Sequence, residues 1–202
     1  MQNPLYPIFL KVHTLDVLIE GAGQVGHEKL SFILKSSPDA NIKMVAPWVS
    51  DEVKELLINN PDNKVKIVNR EFEAEDVAGK DMVIAATDIS ELNRRVHKIS
   101  KAFGVLVNVA DTPELCDFYL GSIVTRGNLK VAISTNGQSP TFAKRFRQVL
   151  EDILPENTDG LLSNLKVLRD RLKGNFTYKV QKLNELTSSL VEKHEIENVE
   201  RA

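Results

Sequence analysis

Three closely spaced glycines are the first feature of the sequence that could support chemistry. The loop Gly21-Ala22-Gly23-Gln24-Val25-Gly26 fits the pattern G-x-G-x-x-G and lies between an apolar run and a segment with helical spacing. In such a loop the first glycine permits a tight turn, the second lets a pyrophosphate approach the backbone, and the third lets helix and strand pack closely. Free N–H groups at the helix start can then bind phosphates. We therefore expect a dinucleotide site here rather than a purely structural turn, formed by Gly21, Gly23, Gln24, Val25 and Gly26.

The residues after the second apolar run depart from this fingerprint. About 20 positions beyond the last glycine, an acidic side chain normally accepts a hydrogen bond from the ribose 2′-hydroxyl. Here Ala46-Pro47 occupies that region, and the nearest acid, Asp51, lies further along the chain. Because no arginine stands there to bind a 2′-phosphate either, we keep NAD as the expected cofactor, with Ala46 and Pro47 beside it.

Polar residues also follow two later apolar runs. Thr87-Asp88 and Asp111 should lie at the carboxyl edge of a sheet, where Rossmann folds bind their cofactor. Thr87 and Asp88 either line that crevice or cap the helix that follows. Asp111 either exchanges a proton with a bound ligand as a general acid or base, or simply starts the turn before Thr112-Pro113.

A long stretch without acidic residues is the next chemical signal. No Asp or Glu occurs between Phe118 and Leu150, a segment that contains Arg126, Lys130, Lys144, Arg145 and Arg147. Such a local excess of positive charge suits a ligand that carries several carboxylates. A solvated basic face, or contacts across a dimer, would account for the same composition.

Alternating strands and helices should position these residues. Short apolar runs predict strands at residues 15–20, 42–46, 65–68, 82–85 and 105–109. Helical spacing predicts helices at 25–35 and 90–103, with a third around Val53, Leu56 and Leu57. This order indicates an α/β fold with a Rossmann-type parallel sheet and helices on both faces.

The pattern changes after Pro113. Two apolar runs, 120–124 and 129–133, flank a turn and predict a β-hairpin, and Ser139-Pro140 resembles a helix start. Beyond Pro155 the chain looks helical, with one apolar stripe at Leu161, Leu162, Leu165, Leu168 and Leu172 and another at Leu183, Leu186, Leu190 and Val191. These stripes should pack either within the chain or in a homodimer, and residues 194–202 should fray. We expect a dinucleotide domain at 1–112, a small α+β region at 113–155 that contacts substrate and partner, and a helical region at 156–202.

Composition narrows the functional classes. The chain has 202 residues, a formal net charge of -2, a single cysteine and four histidines without ligand spacing. We expect no disulfide, no structural metal site and no nucleic-acid partner. The longest apolar runs are far shorter than the roughly 20 residues that cross a bilayer, and no charged-then-apolar leader opens the chain, so we expect no membrane association and a cytoplasmic location.

Several motifs together resemble the precorrin-2 dehydrogenases of sirohaem synthesis, some of which are also sirohydrochlorin ferrochelatases. The resemblance runs from about Pro7 to Pro155. Besides the glycine loop, it rests on Pro7-Ile8-Phe9-Leu10, Val45-Ala46-Pro47, Ile84-Ala85-Ala86-Thr87-Asp88, Glu91-Leu92-Asn93-Arg94-Arg95, Val107-Asn108-Val109-Ala110-Asp111, Leu115-Cys116-Asp117-Phe118 and Ala132-Ile133-Ser134-Thr135-Asn136-Gly137-Gln138-Ser139-Pro140. The family tends to have Ala-Pro after its second strand. This chain departs from it at Gly21-Ala22-Gly23, where three glycines are frequent, and at Gly26-His27-Glu28-Lys29.

The resemblance implies an NAD-dependent oxidation of precorrin-2 to sirohydrochlorin by a homodimer. It places the catalytic aspartate at Asp111 and the cofactor at the glycine loop. Thr87, Asp88 and Val109 would then lie beside the nicotinamide half. Residues expected to bind the tetrapyrrole are Asn108, Arg126, Lys130, Ser134, Thr135 and Arg145.

The sequence is compatible with further functions. Insertion of iron into the product would extend the same chemistry, and the sequence does not decide it. An NAD(H)-sensing Rossmann module without catalysis is an alternative, although it would ordinarily retain the acid after the second strand. A dehydrogenase for a smaller acid is disfavoured, because no histidine stands in a recognisable catalytic context.

Overall fold

A parallel sheet carries the candidate site. The computed structural model describes residues 3–156 and 158–188. Within them, a five-stranded parallel sheet has the order β3-β2-β1-β4-β5. Its elements are β1 (Asp16–Ala22), α1 (Gln24–Ser36), β2 (Asn41–Val49), α2 (Asp51–Ile58), β3 (Lys64–Val68), β4 (Met82–Ala85), α3 (Ser90–Ala102) and β5 (Leu106–Val109). Short 3-10 turns span Val12–Thr14, Ala74–Val77 and Pro113–Leu115.

Helices cover both faces of this sheet. On one face, Leu30 and Ile33 of α1 and Val53 of α2 pack on the strands. On the other face, Val96 of α3 packs with Phe72 on a second apolar cluster. Because β1 is buried between the two helix layers, its sequence is an almost continuous apolar run, as is typical of central parallel strands. The predicted Rossmann-type fold with helices on both faces is confirmed.

The second strand is longer than the sequence predicts. The expected strand ends at Ala46, whereas β2 continues through Pro47 to Val49. The pairing of β1 with β2 shifts register between Glu20 and Ala22, and Ala22 then lies opposite Val49. Proline is tolerated in a strand at such an irregularity, because no ladder hydrogen bond needs its missing N–H.

The chain divides into two compact units. One lies within Met1–Ser122 and Ile133–Arg145, and the other within Ile123–Ala132 and Phe146–Ala202. The predicted hairpin is present as β6 (Ser122–Arg126) and β7 (Leu129–Ile133), and the helices that follow are α4 (Pro140–Ile153), α5 (Asp159–Arg171) and α6 (Phe176–Leu186). Ser139 accepts a hydrogen bond from the N–H of Phe142 at 3.1 Å, as expected for the residue that caps α4.

Polar contacts hold the second unit together. The carboxylate of Asp159, at the start of α5, accepts hydrogen bonds from the backbone N–H of Asn128 at 2.8 Å and from its side-chain amide at 2.9 Å. Thr158 donates to the carbonyl of Arg126 at 2.5 Å. The start of α5 is therefore fastened to the hairpin turn.

The predicted apolar stripes remain largely exposed within the described residues. Leu161 is 47% exposed, Leu168 41% and Leu186 59%. Leu190, Val191 and residues 194–202 lie outside the described residues, so the predictions for them stay predictions. Among the helices within residues 3–156 and 158–188, none is both long and apolar enough to span a membrane.

Candidate dinucleotide-binding site

A cavity opens at the carboxyl edge of the parallel sheet. Its volume is about 670 Å³, which falls in the range typical of ligand pockets. It is lined by the glycine loop from Gly21 to Val25, by the end of β2, by Glu71 and Phe72 after β3, by the loop after β4 and by the first turns of α3. The sheet order has its topological switch beside β1, where doubly wound folds bind dinucleotides.

The glycine loop is packed too closely to hold side chains. Gly21 has a φ of +102°, and a Cβ atom there would lie 2.6 Å from the carbonyl oxygen of Ala86. A Cβ on Gly26 would collide with the carbonyl of Gly21, so α1 lies directly against the loop. Because α1 begins at Gln24 without a side-chain cap at Gly23, its first N–H groups face no intrahelical acceptor. The predicted cradle for phosphates is therefore present in the fold.

The end of β2 forms the side of the cavity where a ribose usually lies. Ala46 and Pro47 line the cavity as predicted, and Trp48 joins them. Trp48 is 65% exposed, and its ring lies next to Gly23. An exposed tryptophan beside a nucleotide site offers a flat surface on which a base can stack. Trp48 was not predicted from the sequence, although a lone tryptophan directly after Ala46-Pro47 was a visible signal.

A hydrogen-bonded pair shapes the loop after β4. The hydroxyl of Thr87 donates to the amide oxygen of Asn93 at 2.7 Å, and the Asn93 amide donates to the Thr87 carbonyl at 2.9 Å. The N–H of Ile89 in turn donates to the Thr87 hydroxyl at 3.2 Å. Thr87 and Asp88 both line the cavity, whereas the residue at the N-cap position of α3 is Ile89. Asn93, which the sequence analysis missed, is 6% exposed and fixes Thr87 in place.

Glu20 is a buried acid at the base of the cavity. It is 1% exposed and lines the cavity directly before Gly21. Its Oε2 atom has no hydrogen-bond partner. The pKa of Glu20 is raised to about 8, mainly by burial and also by the nearby Asp76 carboxylate, while the charge of Arg70 partly opposes this shift. Glu20 was not predicted as a site residue, although a charged side chain directly after the apolar run Val17-Leu18-Ile19 was a signal of it.

The carboxylate of Asp76 forms hydrogen bonds with two nearby cationic side chains. Nη1 and Nη2 of Arg70 donate to its two carboxylate oxygens at 2.8 and 2.7 Å, and Nζ of Lys43 donates to Oδ1 at 2.5 Å. Burial opposes ionisation of Asp76, but the hydrogen bonds from Arg70 and Lys43 outweigh it and hold its pKa well below the usual range. The charges of Arg70 and Lys43 are thus directed at Asp76 rather than at Glu20.

Asp111 follows the last strand of the sheet, at the same edge as the glycine loop. Val109 lies level with Ala85 of β4, which lies level with Glu20 of β1. Two residues further, Asp111 sits on an exposed turn with a φ of +55°. This left-handed conformation is uncommon for residues other than glycine, and aspartate tolerates it better than most. Asp111 is not among the residues that line the 670 Å³ cavity.

The residues just before Asp111 are tied into the protein interior. The amide of Asn108 donates to the carbonyl of Phe118 at 2.8 Å, and Val109 is 1% exposed within the second apolar cluster. The thiol of Cys116 donates to the carbonyl of Val109 at 3.2 Å, and burial raises its pKa. The side chains of Asn108 and Val109 do not line the cavity, and their expected ligand contacts stay predictions.

The other residues expected to bind substrate fall in both units. In the first unit, the hydroxyls of Ser134 and Thr135 accept backbone hydrogen bonds from Asn136 and Ser139 at 3.2 and 3.1 Å. Arg145 is exposed on α4. In the second unit, Nη2 of Arg126 donates to the carbonyl of Glu151 at 2.5 Å, and Lys130 is half-buried on β7.

The described part of the chain has no cluster of three or more His, Cys, Asp or Glu that could hold a metal ion.

Comparison with known proteins supports a nucleotide site in this sheet. Residues 8–122, more than half of the chain, match the family model described as putative NAD(P)-binding. The chain belongs to this NAD(P)-binding family. Residues 126–153 match a second model, described as the central part of the sirohaem biosynthesis protein.

Relatives of this NAD(P)-binding chain include siroheme synthases. It is 36% identical over 171 residues to the siroheme synthase of Pseudoalteromonas atlantica, covering 85% of this chain and 36% of that protein. It is 35% identical over 168 residues to the siroheme synthase of a Psychrobacter species, covering 83% of this chain and 34% of that protein. The chain therefore spans about a third of the length of these relatives.

A solved structure extends the similarity to the fold. The structure of SirC, a precorrin-2 dehydrogenase, superposes with a TM-score of 0.71 and 27% sequence identity, covering 90% of this chain and 89% of that one. The resemblance to the sirohaem-synthesis family, which the sequence motifs predicted, is confirmed. The glycine cradle, which a Cβ at Gly21 or Gly26 would fill, fits the dinucleotide of an NAD(P)-binding family.

Proposed function

We propose that this chain is an NAD-dependent precorrin-2 dehydrogenase that forms sirohydrochlorin in sirohaem synthesis. The glycine loop alone would suit many dinucleotide enzymes. The observation that carries the proposal is the similarity to SirC, because it covers 90% of the chain and so includes the region after the NAD(P)-binding sheet.

In the proposed reaction, precorrin-2 loses one hydride and one proton. NAD in the cavity would supply the hydride acceptor. The N–H groups of Gln24 and Val25 at the start of α1 hold the pyrophosphate, and Gly21 and Gly23 let it approach the backbone. Thr87, fixed by Asn93, shapes the cavity wall on the β4 side. These contacts set the distance and orientation of the reacting groups.

Asp111 is the proposed proton acceptor. It follows β5 at the carboxyl edge of the sheet, and it is exposed, so a substrate can reach its carboxylate. When the hydride leaves with its electron pair, the proton leaves for this carboxylate, and the two losses together give the more conjugated product. The removal of pyrrole protons during metal insertion would use the same group, and ferrochelatase activity stays a prediction from the resemblance.

The tetrapyrrole carboxylates require cationic and hydrogen-bonding groups. We assign this role to Arg126, Lys130 and Arg145, which lie in the segment without acids, with Asn108, Ser134 and Thr135 as further contacts. Guanidinium groups are suited to carboxylates, because they donate two parallel hydrogen bonds.

The charges that line the cavity support the proposed preference for NAD over NADP. Glu71 and Asp88 line it with exposed carboxyl groups, and Arg95 is the cation among the lining residues. The guanidinium of Arg95 lies over the ring of Phe72, 5.8 Å from its centroid. A 2′-phosphate would therefore add negative charge to a cavity with more acids than bases, and the repulsion would weaken NADP binding.

The proposed enzyme acts as a homodimer. Phe142, Phe146, Val149 and Ile153 recur at helical spacing on α4 and are 59%, 43%, 51% and 67% exposed. Large apolar side chains exposed along one helix support an interface between two copies of the chain.

The test is anaerobic mixing of the protein with NAD+ and freshly prepared precorrin-2. Formation of NADH together with the absorption spectrum of sirohydrochlorin is the expected result. Binding of NAD+ without its reduction would instead favour the sensing module. Repeating the reaction with NADP+ tests the cofactor preference, and a higher kcat/KM with NADP+ would contradict it.

A further inference from the structure

The buried acid beside the first glycine is not explained by the packing of the sheet. Glu20 lies in register between Val45 of β2 and Ala85 of β4, whose side chains are both apolar. It lines the cavity, and its Oε2 atom is buried without a hydrogen-bond partner. An unpaired buried oxygen costs free energy, so a ligand group that forms a hydrogen bond with it would bind more favourably.

The charges around Glu20 leave it without a dedicated cation. Asp76 and Arg70 act on Glu20 through their charges, and Glu71, Asp88 and Arg95 share its cavity. Lys43 and Glu73 form ion pairs with Asp76 and Arg70, respectively. Arg70 and Lys43 both donate to Asp76, and Arg95 lies over Phe72. Because Asp76 is itself ionised, it adds a repulsive charge, so the environment of Glu20 favours its neutral form.

We propose that Glu20 is a proton-linked binding residue of the dinucleotide cavity, which binds the dinucleotide when the Glu20 carboxyl is neutral and releases it when that carboxyl ionises. The proposal rests on the proposed function only in taking a dinucleotide as the ligand of the cavity. A hydroxyl or amino group of the nucleotide would satisfy the unpaired carboxyl oxygen. Many dinucleotide sites have an acid at the end of the second strand. This chain has Ala46 and Pro47 there, and its acid, Glu20, lies near the end of β1 instead.

Electrostatics determine the direction of this coupling. A dinucleotide carries two phosphate charges and displaces water from the cavity when it binds. Both effects disfavour a carboxylate at its base, since like charges repel more strongly where water is excluded. Binding must therefore favour the protonated carboxyl, and by linkage protonation must favour binding to the same extent.

The expected effect is a loss of affinity at alkaline pH. Since the pKa of Glu20 is about 8 in the unliganded protein, the dissociation constant for NAD+ should be nearly constant below pH 7. Above pH 8 it should rise, by up to about tenfold per pH unit. In Glu20→Gln, whose amide is neutral at every pH, the constant should stay flat over the same range.

The test measures NAD+ binding to the full chain by calorimetry between pH 6.5 and pH 9.5. At pH 8.5, buffers with different ionisation enthalpies report the protons taken up on binding, and wild type should take up a substantial fraction of one proton where Glu20→Gln takes up none. Glu71→Gln removes an exposed acid from the same cavity and should keep the wild-type pH profile. Trp48, the single tryptophan, lines the cavity and gives a second readout by fluorescence.

Each outcome decides a different claim. A flat wild-type profile, or equal proton uptake in wild type and Glu20→Gln, overturns the role of Glu20 and leaves the proposed function standing. Absence of NAD+ binding at every pH overturns both, whereas binding without oxidation of precorrin-2 overturns only the proposed function. If Glu20→Gln does not fold, Glu20→Met replaces it, with weaker binding but the same flat profile expected.

Discussion

A Cβ atom on Gly21 would lie 2.6 Å from the carbonyl oxygen of Ala86, so the loop after β1 and the end of β4 meet backbone to backbone. Gly21 also has a φ of +102°, a backbone conformation that residues other than glycine rarely adopt. The cradle for the pyrophosphate therefore depends on a contact that only glycine permits.

Replacement of Gly21 by alanine should abolish dinucleotide binding and destabilise the protein. The new methyl group must displace the backbone of Ala86, in addition to the strain of the left-handed conformation, which alone costs about 1–3 kcal/mol. Gly79→Ala is the matched control, because Gly79 has a φ of +68° but nothing within 4 Å of its Cβ position. It should share the strain and retain NAD+ binding; equal NAD+ affinity in both variants would contradict the account.

Removal of the Asp76 charge should destabilise the fold. Asp76→Asn leaves Arg70 and Lys43 without their buried partner, so we expect the free energy of unfolding in urea to fall by about 3 kcal/mol at pH 7. Because the folded-state pKa of Asp76 lies well below 3.8, its ionisation stabilises the protein above that pH and less as the pH falls further. The difference from wild type should thus narrow under acid conditions. Asp51→Asn, which removes an exposed partner of Lys54, should show no measurable change.

Because of Glu20, the free energy of unfolding should decrease as the pH rises. Its pKa is about 8 in the folded protein against 4.5 ordinarily, so the folded state retains a proton that the unfolded chain releases. Relative to Glu20→Gln, wild type should lose up to about 1.4 kcal/mol of unfolding free energy per pH unit between pH 4.5 and pH 8, and nothing further above pH 8. Parallel stability profiles for the two proteins would show that Glu20 is not protonated in the fold.

The Thr87 hydroxyl should contribute to both stability and binding. In Thr87→Val, the N–H of Ile89 and the amide of Asn93 each lose a hydrogen bond, which should cost about 1–3 kcal/mol of unfolding free energy. Because the loop also lines the cavity, we expect weaker NAD+ binding. Thr125→Val on β6, an exposed threonine of the hairpin, serves as the control, and an equal effect of both substitutions on NAD+ affinity would argue against the loop's role.

The sheet and the glycine loop could be predicted because their signals are local. The spacing of Gly21, Gly23 and Gly26 and the apolar runs on either side follow from steric needs of a single turn and of buried strands. The extension of β2 beyond Pro47 could not be predicted, because it depends on a register shift in the pairing of β1 with β2. That shift is a property of the pairing between two strands rather than of either sequence.

Fewer of the residues around the cavity could be predicted from the sequence. Glu20 interrupts an apolar strand, but its lack of a cation depends on Arg70 and Lys43 being directed at Asp76, which only the fold reveals. Arg95 reaches the cavity from α3, and Asn93 on the same helix holds Thr87 at the cavity wall. The spacing of these two residues does not distinguish them from surface residues. Asp111 was predicted from the end of an apolar run, and its left-handed backbone was not.

The most direct test of the proposed dehydrogenase compares wild type with Asp111→Asn in anaerobic reactions with precorrin-2 and NAD+. The account predicts one NADH for each sirohydrochlorin formed by wild type. It predicts a rate at least about a hundredfold lower in the variant, the usual contribution of a general base, with unchanged NAD+ affinity. No NADH formation by wild type, or equal rates in the two proteins, would contradict it.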